Sequence, residues 1–361
     1  MKKIILMTGG GSAGHVTPNI ALMPRLADEG FDIHYVGMAG SIEQKLVQGR
    51  PGVTYHTITS GKFRRYFSWK NFTDPFRVVK GVFQAKRIIR SVKPDVVFSK
   101  GGFVSVPVCI AARRKAPVVV HESDYTPGLA NRIGARFADT VCVTFSDTLN
   151  QVGAKGVHTG TPIRPELYNG KREKGLEFLG FKGDRPILLV MGGSLGALAV
   201  NEAVRGALKT LTVKYDIVHL CGEGKMEPGL DMAGYAQYEY IASELPDVFA
   251  AVDIVISRAG ANAVFELLAL KKPAVLIPLP ASSSRGDQIH NAGYFARKGY
   301  ALYLKQSELT ADTLLDAVEE LFNHRLEFVS AMNAEPAADG TEKVLNVIKK
   351  AAQNRLGSNN R

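Results

Sequence analysis

The sequence predicts two doubly wound α/β domains, each built on a parallel sheet. Short apolar runs alternate with segments of helical periodicity along most of the chain, and this alternation starts again after HTGTPIRPE. Both halves begin with an apolar run that ends in a glycine-rich turn. Strands that alternate with helices predict parallel sheets buried on both faces, and the second start predicts a second domain.

The predicted strands follow one another in the same rhythm in both halves. In the first half they are KIILM, DIHYVG, VTYHTI, DVVFS, PVVVHE and TVCVTF. In the second half they are PILLVMG, YDIVHLC, YEYIA, DIVIS, PAVLIPL and YALYL. We place the domains at 1–163 and 164–340. A last helix, TEKVLNVIKKAAQ within 341–361, is expected to pack back on the first domain and to end in a frayed tail, GSNNR.

Composition limits the class of protein. A chain of 361 residues with 45% hydrophobic residues can bury two cores. The N-terminal apolar run is too short for a signal peptide, and no apolar run approaches the roughly 18 residues of a transmembrane helix. Three cysteines, Cys109, Cys142 and Cys221, lack metal-ligand spacing and are expected to be buried free thiols in a reducing cytoplasm.

Three turns share a design suited to phosphate. The segments GGGSAGH, GGSLGA and SRAGANAVFE each follow an apolar run and open a predicted helix. Glycine allows close backbone approach, and a helix N-terminus offers N–H groups and a positive dipole end to an anion. Each turn alone is weak evidence, since glycine turns also serve simple packing. Together they favour a phosphate-bearing ligand.

The spacing of Gly9, Gly11 and Gly14 resembles a dinucleotide fingerprint, but NAD is disfavoured. That motif needs an acidic residue about 20 positions further on, at the end of the second strand, to bind the ribose. Gly37 and Met38 stand there instead.

Seven motifs in order carry a resemblance to a known family. They are GGGSAGHVTP, SKGGFVSVPV, HESDYTPGLAN, TGTPIRPE, GGSLGA, SRAGANAVFELLALKKPAVLIPLP and GDQIHNA. The chain resembles glycosyltransferase family 28 of the GT-B superfamily. It is most similar to the peripheral bacterial members that add N-acetylglucosamine to undecaprenyl-diphospho-muramoylpentapeptide in peptidoglycan synthesis. The resemblance implies two Rossmann-like domains facing a central cleft, UDP-N-acetylglucosamine as donor, a lipid-linked acceptor, inversion at the anomeric carbon and no obligatory metal or other cofactor.

The resemblance assigns donor binding to the second domain. Glu266 matches the family's ribose ligand, and its apolar setting suits a buried, partnered carboxylate. Ser194 can donate to the diphosphate or cap its helix. Arg164 would stand beside the departing UDP, although by sequence alone a surface arginine is equally possible. Gln288 matches the sugar-contacting amide. The family's donor site also implies Ile241, Gly260 and Ala261.

The first domain supplies the candidates for proton transfer. His15 is the favoured general base, because imidazole accepts a proton near neutral pH, while a role in orienting a phosphate or sugar stays open. Glu122 is the second candidate base. Ser12, Ala13 and Gly14 are expected to contact substrate. Asp124 stands where many family members have asparagine, so a sugar contact there is an open question.

Most of the net charge of +11 lies between Gly61 and Lys93, where ten Lys or Arg accompany a single Asp. If a helix begins near Pro75, one face is apolar and another combines aromatic and basic residues. Such a face suits the anionic cytoplasmic leaflet of the membrane; nucleic acid is the disfavoured alternative, and a solvated basic helix is the third. The predicted membrane patch comprises Arg64, Arg65, Trp69, Phe72, Phe76, Lys80 and Phe83.

The sequence therefore predicts a peripheral enzyme on the cytoplasmic face of the membrane, with other cell-wall enzymes as further partners. Two alternatives remain open. One is another UDP-sugar enzyme of the same fold, such as a 2-epimerase or a glycolipid glucosyltransferase. The other is a non-catalytic nucleotide-sugar binding protein.

Overall fold

The structure, a computed structural model, describes residues 2–61, 70–193, 196–283 and 285–359, without the side chains of 70–75 and 355–359. The chain divides into two compact units. Unit 1 comprises Met1–Ile163 and Asp339–Arg361, and unit 2 comprises Arg164–Ala338.

Unit 1 is built on a parallel sheet whose strand order is β3-β2-β1-β4-β5-β6-β7. Its strands are β1 (Lys3–Thr8), β2 (Phe31–Gly37), β3 (Val53–Thr57), β4 (Val96–Ser99), β5 (Val118–Glu122), β6 (Thr140–Val143) and β7 (Gly156–His158). The central strand β1 places Ile5 beside Ile33 of β2 and Val96 of β4. The order reverses between β1 and β4, as in Rossmann domains.

Helices cover both faces of this sheet. They are α1 (Thr17–Asp28), α2 (Ile42–Val47), α3 (Lys70–Val92), α4 (Ser105–Ala112), α5 (Leu129–Phe137) and α6 (Leu149–Val152). Successive side chains of a strand point to opposite faces. Accordingly, Ile5 and Met7 pack in a core with Leu22 of α1, whereas Leu6 packs in a second core with Val108 of α4.

Unit 2 repeats the same plan with the parallel order β10-β9-β8-β11-β12-β13. Its strands are β8 (Ile187–Met191), β9 (Asp216–Leu220), β10 (Tyr235–Tyr238), β11 (Ile254–Ser257), β12 (Ala274–Leu276) and β13 (Ala301–Tyr303), following helix α7 (Arg172–Leu179). Its other helices are α8 (Leu198–Lys214), α9 (Leu245–Ala251), α10 (Ala261–Ala269), α11 (Asp287–Arg297), α12 (Ala311–Asn323) and α13 (Arg325–Asn333). Leu188, Ile217 and Ile254 form its core with Leu208 of α8 and Leu314 of α12.

The last helix, α14 (Thr341–Asn359), belongs to unit 1. Val344 and Ile348 join the core that contains Leu22. At the surface, Lys349 contacts Glu29 at 2.7 Å. The chain thus returns to its first unit after completing the second.

Three local predictions need correction. Strand β10 spans Tyr235–Tyr238 rather than YEYIA, because register with β9 pairs Tyr235 with Ile217, and Tyr240 is exposed. Helix α3 begins at Lys70, not near Pro75. Helix α14 continues to Asn359, so the part of GSNNR that is described is helical rather than frayed.

The prediction of buried free thiols is confirmed for Cys109, Cys142 and Cys221. Within the described ranges, no helix combines the length and the apolar character needed to cross a membrane.

Candidate functional site

The carboxyl ends of the central strands mark the candidate site in each unit. Strand order reverses between β1 and β4 in unit 1 and between β8 and β11 in unit 2. In open α/β sheets, ligands bind outside the carboxyl ends of the strands at such switch points. The predicted glycine turns lie at these ends.

The first turn, Gly9–Gly11, packs closely against the loop that follows β4. A Cβ on Gly102 would lie 2.0 Å from the carbonyl oxygen of Gly10, so only glycine fits there. Gly10 N also donates to Gly101 O at 3.3 Å. Gly11 has a φ of +83°, and a Cβ there would meet open space. Glycine at position 11 therefore permits the positive φ, and the absence of a side chain leaves space beside the turn.

Buried polar side chains hold this turn from behind. The Oε2 of Glu43, which is fully buried, accepts from Gly11 N at 3.1 Å, and its Oε1 accepts from Met38 N at 3.2 Å. Asn19 Nδ2 donates to Tyr35 Oη at 3.1 Å, and that hydroxyl donates to Gly9 O at 2.6 Å. Sequence reasoning missed Glu43, although Ser41, which caps α2, marks the start of the short helix that carries it.

His15 lies at the end of a 3-10 helix, Ala13–His15, just before α1. Its side chain is half-buried, as is that of Ala13, whereas Ser12 and Gly14 are exposed. A Cβ on Gly9 would lie 2.4 Å from the carbonyl oxygen of His15, so His15 is held against the first turn. The structure thus groups these four predicted residues at the carboxyl end of β1.

Glu122 ends β5 and organises the loop that follows it. Its carboxylate accepts from Asp124 N at 2.9 Å, from Gly128 N at 3.0 Å and from Asn131 Nδ2 at 2.9 Å. Three donors on its own segment engage a buried carboxylate, which gives Glu122 a loop-holding role.

In unit 2 the structure brings together two predicted residues that are 102 positions apart. Arg164 Nε donates to Glu266 Oε1 at 2.9 Å, and Arg164 Nη2 donates to Glu266 Oε2 at 3.1 Å. Burial raises the pKa of Glu266, and the Arg164 guanidinium opposes that rise. Glu166 and Tyr240 also act electrostatically on Arg164. This two-pronged pair fixes the orientation of the Glu266 carboxylate.

Gly260 caps the N-terminus of α10, the helix that carries Glu266. A Cβ on Gly260 would meet nothing within 4 Å, so there is open space beside the residue that caps α10. Asn291 of α11 donates to Ala259 O at 3.0 Å and thereby ties α11 to this turn. The turn therefore has the space and the helix dipole that an anion needs.

Gln288 and Ile241 lie in the same unit. The Oε1 of Gln288, near the start of α11, accepts from Leu279 N at 3.1 Å, which directs the amide nitrogen away from that loop. Ile241 is buried in the segment after β10, next to Tyr240. Ser194 lies outside the described residues.

Of the predicted membrane patch, Arg64, Arg65 and Trp69 lie outside the described residues, as does the side chain of Phe72. Helix α3 presents the remaining members, Phe76, Lys80 and Phe83, to the surface, with Phe76 78% and Phe83 66% exposed. Its opposite face buries Ala85 and Ile89, so the predicted division of this helix into two faces is confirmed.

Among the residues that the structure describes, no group of three or more His, Cys, Asp or Glu is arranged to hold a metal ion.

Two Rossmann-type units with glycine turns at their switch points define a nucleotide-binding α/β protein. Models of glycosyltransferase family 28 match both: the N-terminal domain over residues 5–143 and the C-terminal domain over residues 187–350. The chain belongs to glycosyltransferase family 28, and the expected GT-B fold class is confirmed.

Individual proteins resemble the chain over nearly its whole length. A UDP-N-acetylglucosamine--N-acetylmuramyl-(pentapeptide) pyrophosphoryl-undecaprenol N-acetylglucosamine transferase of Clostridium perfringens is 51% identical, covering 98% of this chain and 99% of the relative. The protein of the same name from Lachnoclostridium phytofermentans is 53% identical, covering 97% of this chain and 99% of the relative. The crystal structure of Acinetobacter baumannii MurG has a TM-score of 0.77 and 27% identity, covering 96% of this chain and 99% of that one.

Proposed function

We propose that this chain transfers N-acetylglucosamine from UDP-N-acetylglucosamine to undecaprenyl-diphospho-muramoylpentapeptide, the step from lipid I to lipid II in peptidoglycan synthesis. The observation that carries the proposal is identity above 50% over nearly the full chain to transferases named for that activity. Fold alone would not distinguish this reaction from those of other GT-B enzymes.

The donor is assigned to unit 2. The Glu266 carboxylate would accept hydrogen bonds from the ribose hydroxyls, while its pairing with Arg164 keeps both oxygens oriented. The open N-terminus of α10 at Gly260 would receive diphosphate oxygens, together with the turn that contains Ser194. Gln288 would contact the sugar, and Ile241 would lie against the uracil base of UDP.

The acceptor is assigned to unit 1. In an inverting transfer, the acceptor hydroxyl oxygen attacks the anomeric carbon as the bond to the diphosphate breaks, and the hydroxyl proton goes to a base. His15 is the proposed base, since this half-buried residue lies at the carboxyl end of β1 and its backbone carbonyl packs against the first glycine turn. Ser12, Ala13 and Gly14 would line the acceptor site, and Asp124 would contribute from the loop that Glu122 holds. UDP leaves with the negative charge, which Arg164 and helix N-termini would stabilise without an obligatory metal.

Helix α3 would dock the enzyme on the cytoplasmic face of the membrane. Its exposed Phe76, Val79 and Phe83 offer apolar insertion, and Lys86 lies 5.6 Å from the centre of the Phe83 ring. Further along the helix, a groove of about 510 Å³ is rich in cations. The cationic residues that line it are Lys86, Arg90, Arg113, Arg114 and Lys115. Aromatic residues beside cations suit an anionic lipid surface.

The transferase proposal is tested by incubating the purified protein with UDP-N-acetylglucosamine, with and without lipid-linked muramoylpentapeptide. We expect UDP release in step with acceptor glycosylation and little release without acceptor. Formation of the 2-epimer without acceptor would indicate an epimerase. Binding of UDP-N-acetylglucosamine with no turnover in either mixture would indicate a binding protein.

A further inference from the structure

Lys100 is a buried cationic residue to which the proposed reaction assigns no role. It follows β4 directly, precedes the glycines that contact the first turn, and is fully buried. Its Nζ lies 2.7 Å from His121 Nδ1 and donates to Ser123 Oγ. Lysine is almost never fully buried unless its ammonium group is paired, so this arrangement calls for an explanation.

His121 connects Lys100 to a second part of unit 1. Its Nε2 lies 2.9 Å from the carbonyl oxygen of Gly160. A carbonyl oxygen can only accept, so Nε2 carries the hydrogen and Nδ1 of the neutral ring faces the Lys100 donor. Burial and the neighbouring Lys100 lower the pKa of His121 well below its ordinary value, which keeps the ring neutral.

The two ends of this chain of contacts matter for the site. At one end, Ser123 lies between Glu122 and Asp124 in the loop 122–128. At the other end, a Cβ on Gly340 would lie 2.5 Å from the carbonyl carbon of Gly160, and Gly340 N donates to Thr161 O at 2.9 Å. The segment by which the chain leaves unit 1 and the segment by which it re-enters therefore cross at Gly160, whose carbonyl oxygen accepts from His121.

We propose that Lys100 is a positioning residue that holds His121 in a single neutral tautomer, and through it orders the loop 122–128 and the crossing at Gly160. The proposal rests on the proposed function in one respect: this loop is taken to contribute to acceptor binding. Lys100 does not touch substrate and takes no part in proton transfer.

The charges that face Lys100 make its role dependent on pH. Burial lowers the pKa of Lys100 to about 7, while Glu122, Asp124 and Cys142 oppose that shift and His121 is neutral. The positive charge that balances Glu122 and Asp124 is therefore present below about pH 7 and lost above it.

The first test measures positioning without any substrate. Lys100→Met keeps the side-chain length and removes both charge and donor. ¹⁵N NMR of the histidine rings should show a wild-type His121 that stays in the Nε2–H tautomer and does not titrate between about pH 5.5 and 8.5. In the variant, His121 Nδ1 loses its donor, so signals of the Nδ1–H tautomer should appear, while burial still keeps the ring neutral. Unchanged His121 signals in the folded variant would overturn the proposal.

Hydrogen exchange of the loop gives a second readout. The amides of Asp124 and Gly128, which donate to Glu122, should exchange about 10-fold faster in Lys100→Met. If that variant fails to fold, Ser123→Ala removes only one acceptor of Lys100 and should produce a smaller change in the same direction. Lys272→Met removes a half-buried lysine of unit 2, which donates to Val252 O, and serves as the control. Exchange equal to wild type in both test variants would contradict the proposal.

Kinetics then link positioning to the reaction. We expect the acceptor KM to rise about 10-fold in Lys100→Met with UDP affinity unchanged. The alkaline fall of kcat/KM near pH 7 should disappear in the variant. An identical alkaline limb in both proteins would refute the role of Lys100. A wild-type protein without transferase activity would instead refute the proposed function, and the NMR and exchange experiments would still decide the role of Lys100.

Discussion

Removal of the Glu266 carboxylate should weaken binding of UDP and of the donor. Glu266→Ala deletes the group that would hold the ribose hydroxyls and leaves Arg164 without its two-pronged partner. Glu266→Gln is the closer isostere, because it retains an acceptor oxygen and loses the charge. The two variants therefore separate the loss of charge from the loss of the whole side chain.

The size of the effect follows from the burial of the pair. The side chains of Arg164 and Glu266 are 22% and 11% exposed, so the interaction is partly shielded from water. Hydrogen bonds to charged groups contribute about 1.5–3 kcal/mol each, but a ribose must share the carboxylate with Arg164. We therefore expect Glu266→Ala to cost about 2–3 kcal/mol of UDP binding, a Kd roughly 30–150-fold weaker. Glu266→Gln should cost less.

Isothermal titration with UDP measures this loss, and circular dichroism verifies that each variant is folded. Glu319→Ala is the matched control, since Glu319 forms an exposed ion pair with Lys214 in the same unit, at 3.1 Å. Exposed pairs contribute little, so this variant should bind UDP as the wild type does. If folded Glu266→Ala retains wild-type UDP affinity, Glu266 does not belong to the donor site.

His15→Ala should lower kcat by roughly 10²–10⁴-fold while donor affinity is retained, because a general base acts on the chemical step. Weak UDP binding with a normal kcat would instead make His15 a positioning residue. The double variant Phe76→Ser, Phe83→Ser should bind anionic vesicles at least about 10-fold more weakly in a sedimentation assay. Serines at the exposed Val213 and Leu326 of unit 2 serve as the control and should leave vesicle binding unchanged. Equal sedimentation of the two double variants would argue against docking by α3. Since the pKa of Lys100 is about 7 in the folded chain and 10.5 is its ordinary value, the unfolded chain retains a proton between these pH values that the folded chain lacks. The free energy of unfolding of wild type relative to Lys100→Met should therefore rise with pH in that window, by up to about 1.4 kcal/mol per pH unit in urea titrations, and a constant difference would contradict the buried ammonium.

Much of the fold could be predicted from the sequence, because strands buried on both faces of a parallel sheet are continuous apolar runs. KIILM, DVVFS and PILLVMG all became central strands. The strand predicted at YEYIA failed because tyrosine and isoleucine favour strands wherever they occur, whereas pairing with β9 selects Tyr235–Tyr238.

The glycine turns were visible in the sequence, and their supports were not. A run such as GGGSAGH can be recognised from a few neighbouring residues, since glycine is needed there for backbone conformation and for close approach of two segments. Glu43, which holds Gly11, comes from a separate helix, and nothing near Gly11 in the chain points to it. Likewise, the donors to the Glu122 carboxylate could be identified only from the folded conformation of its loop.

By itself, the sequence determined the class of fold, the family and the residue types available at each turn, because these depend on periodicity and on motifs a few residues long. Tertiary structure decided which of those residues meet. Arg164 pairs with Glu266 across 102 positions, and Lys100 reaches His121, because parallel strands distant in sequence end at one edge of a sheet. The physical reason is that burial and hydrogen-bond geometry are properties of the packed chain, whereas propensity is a property of its neighbours in sequence.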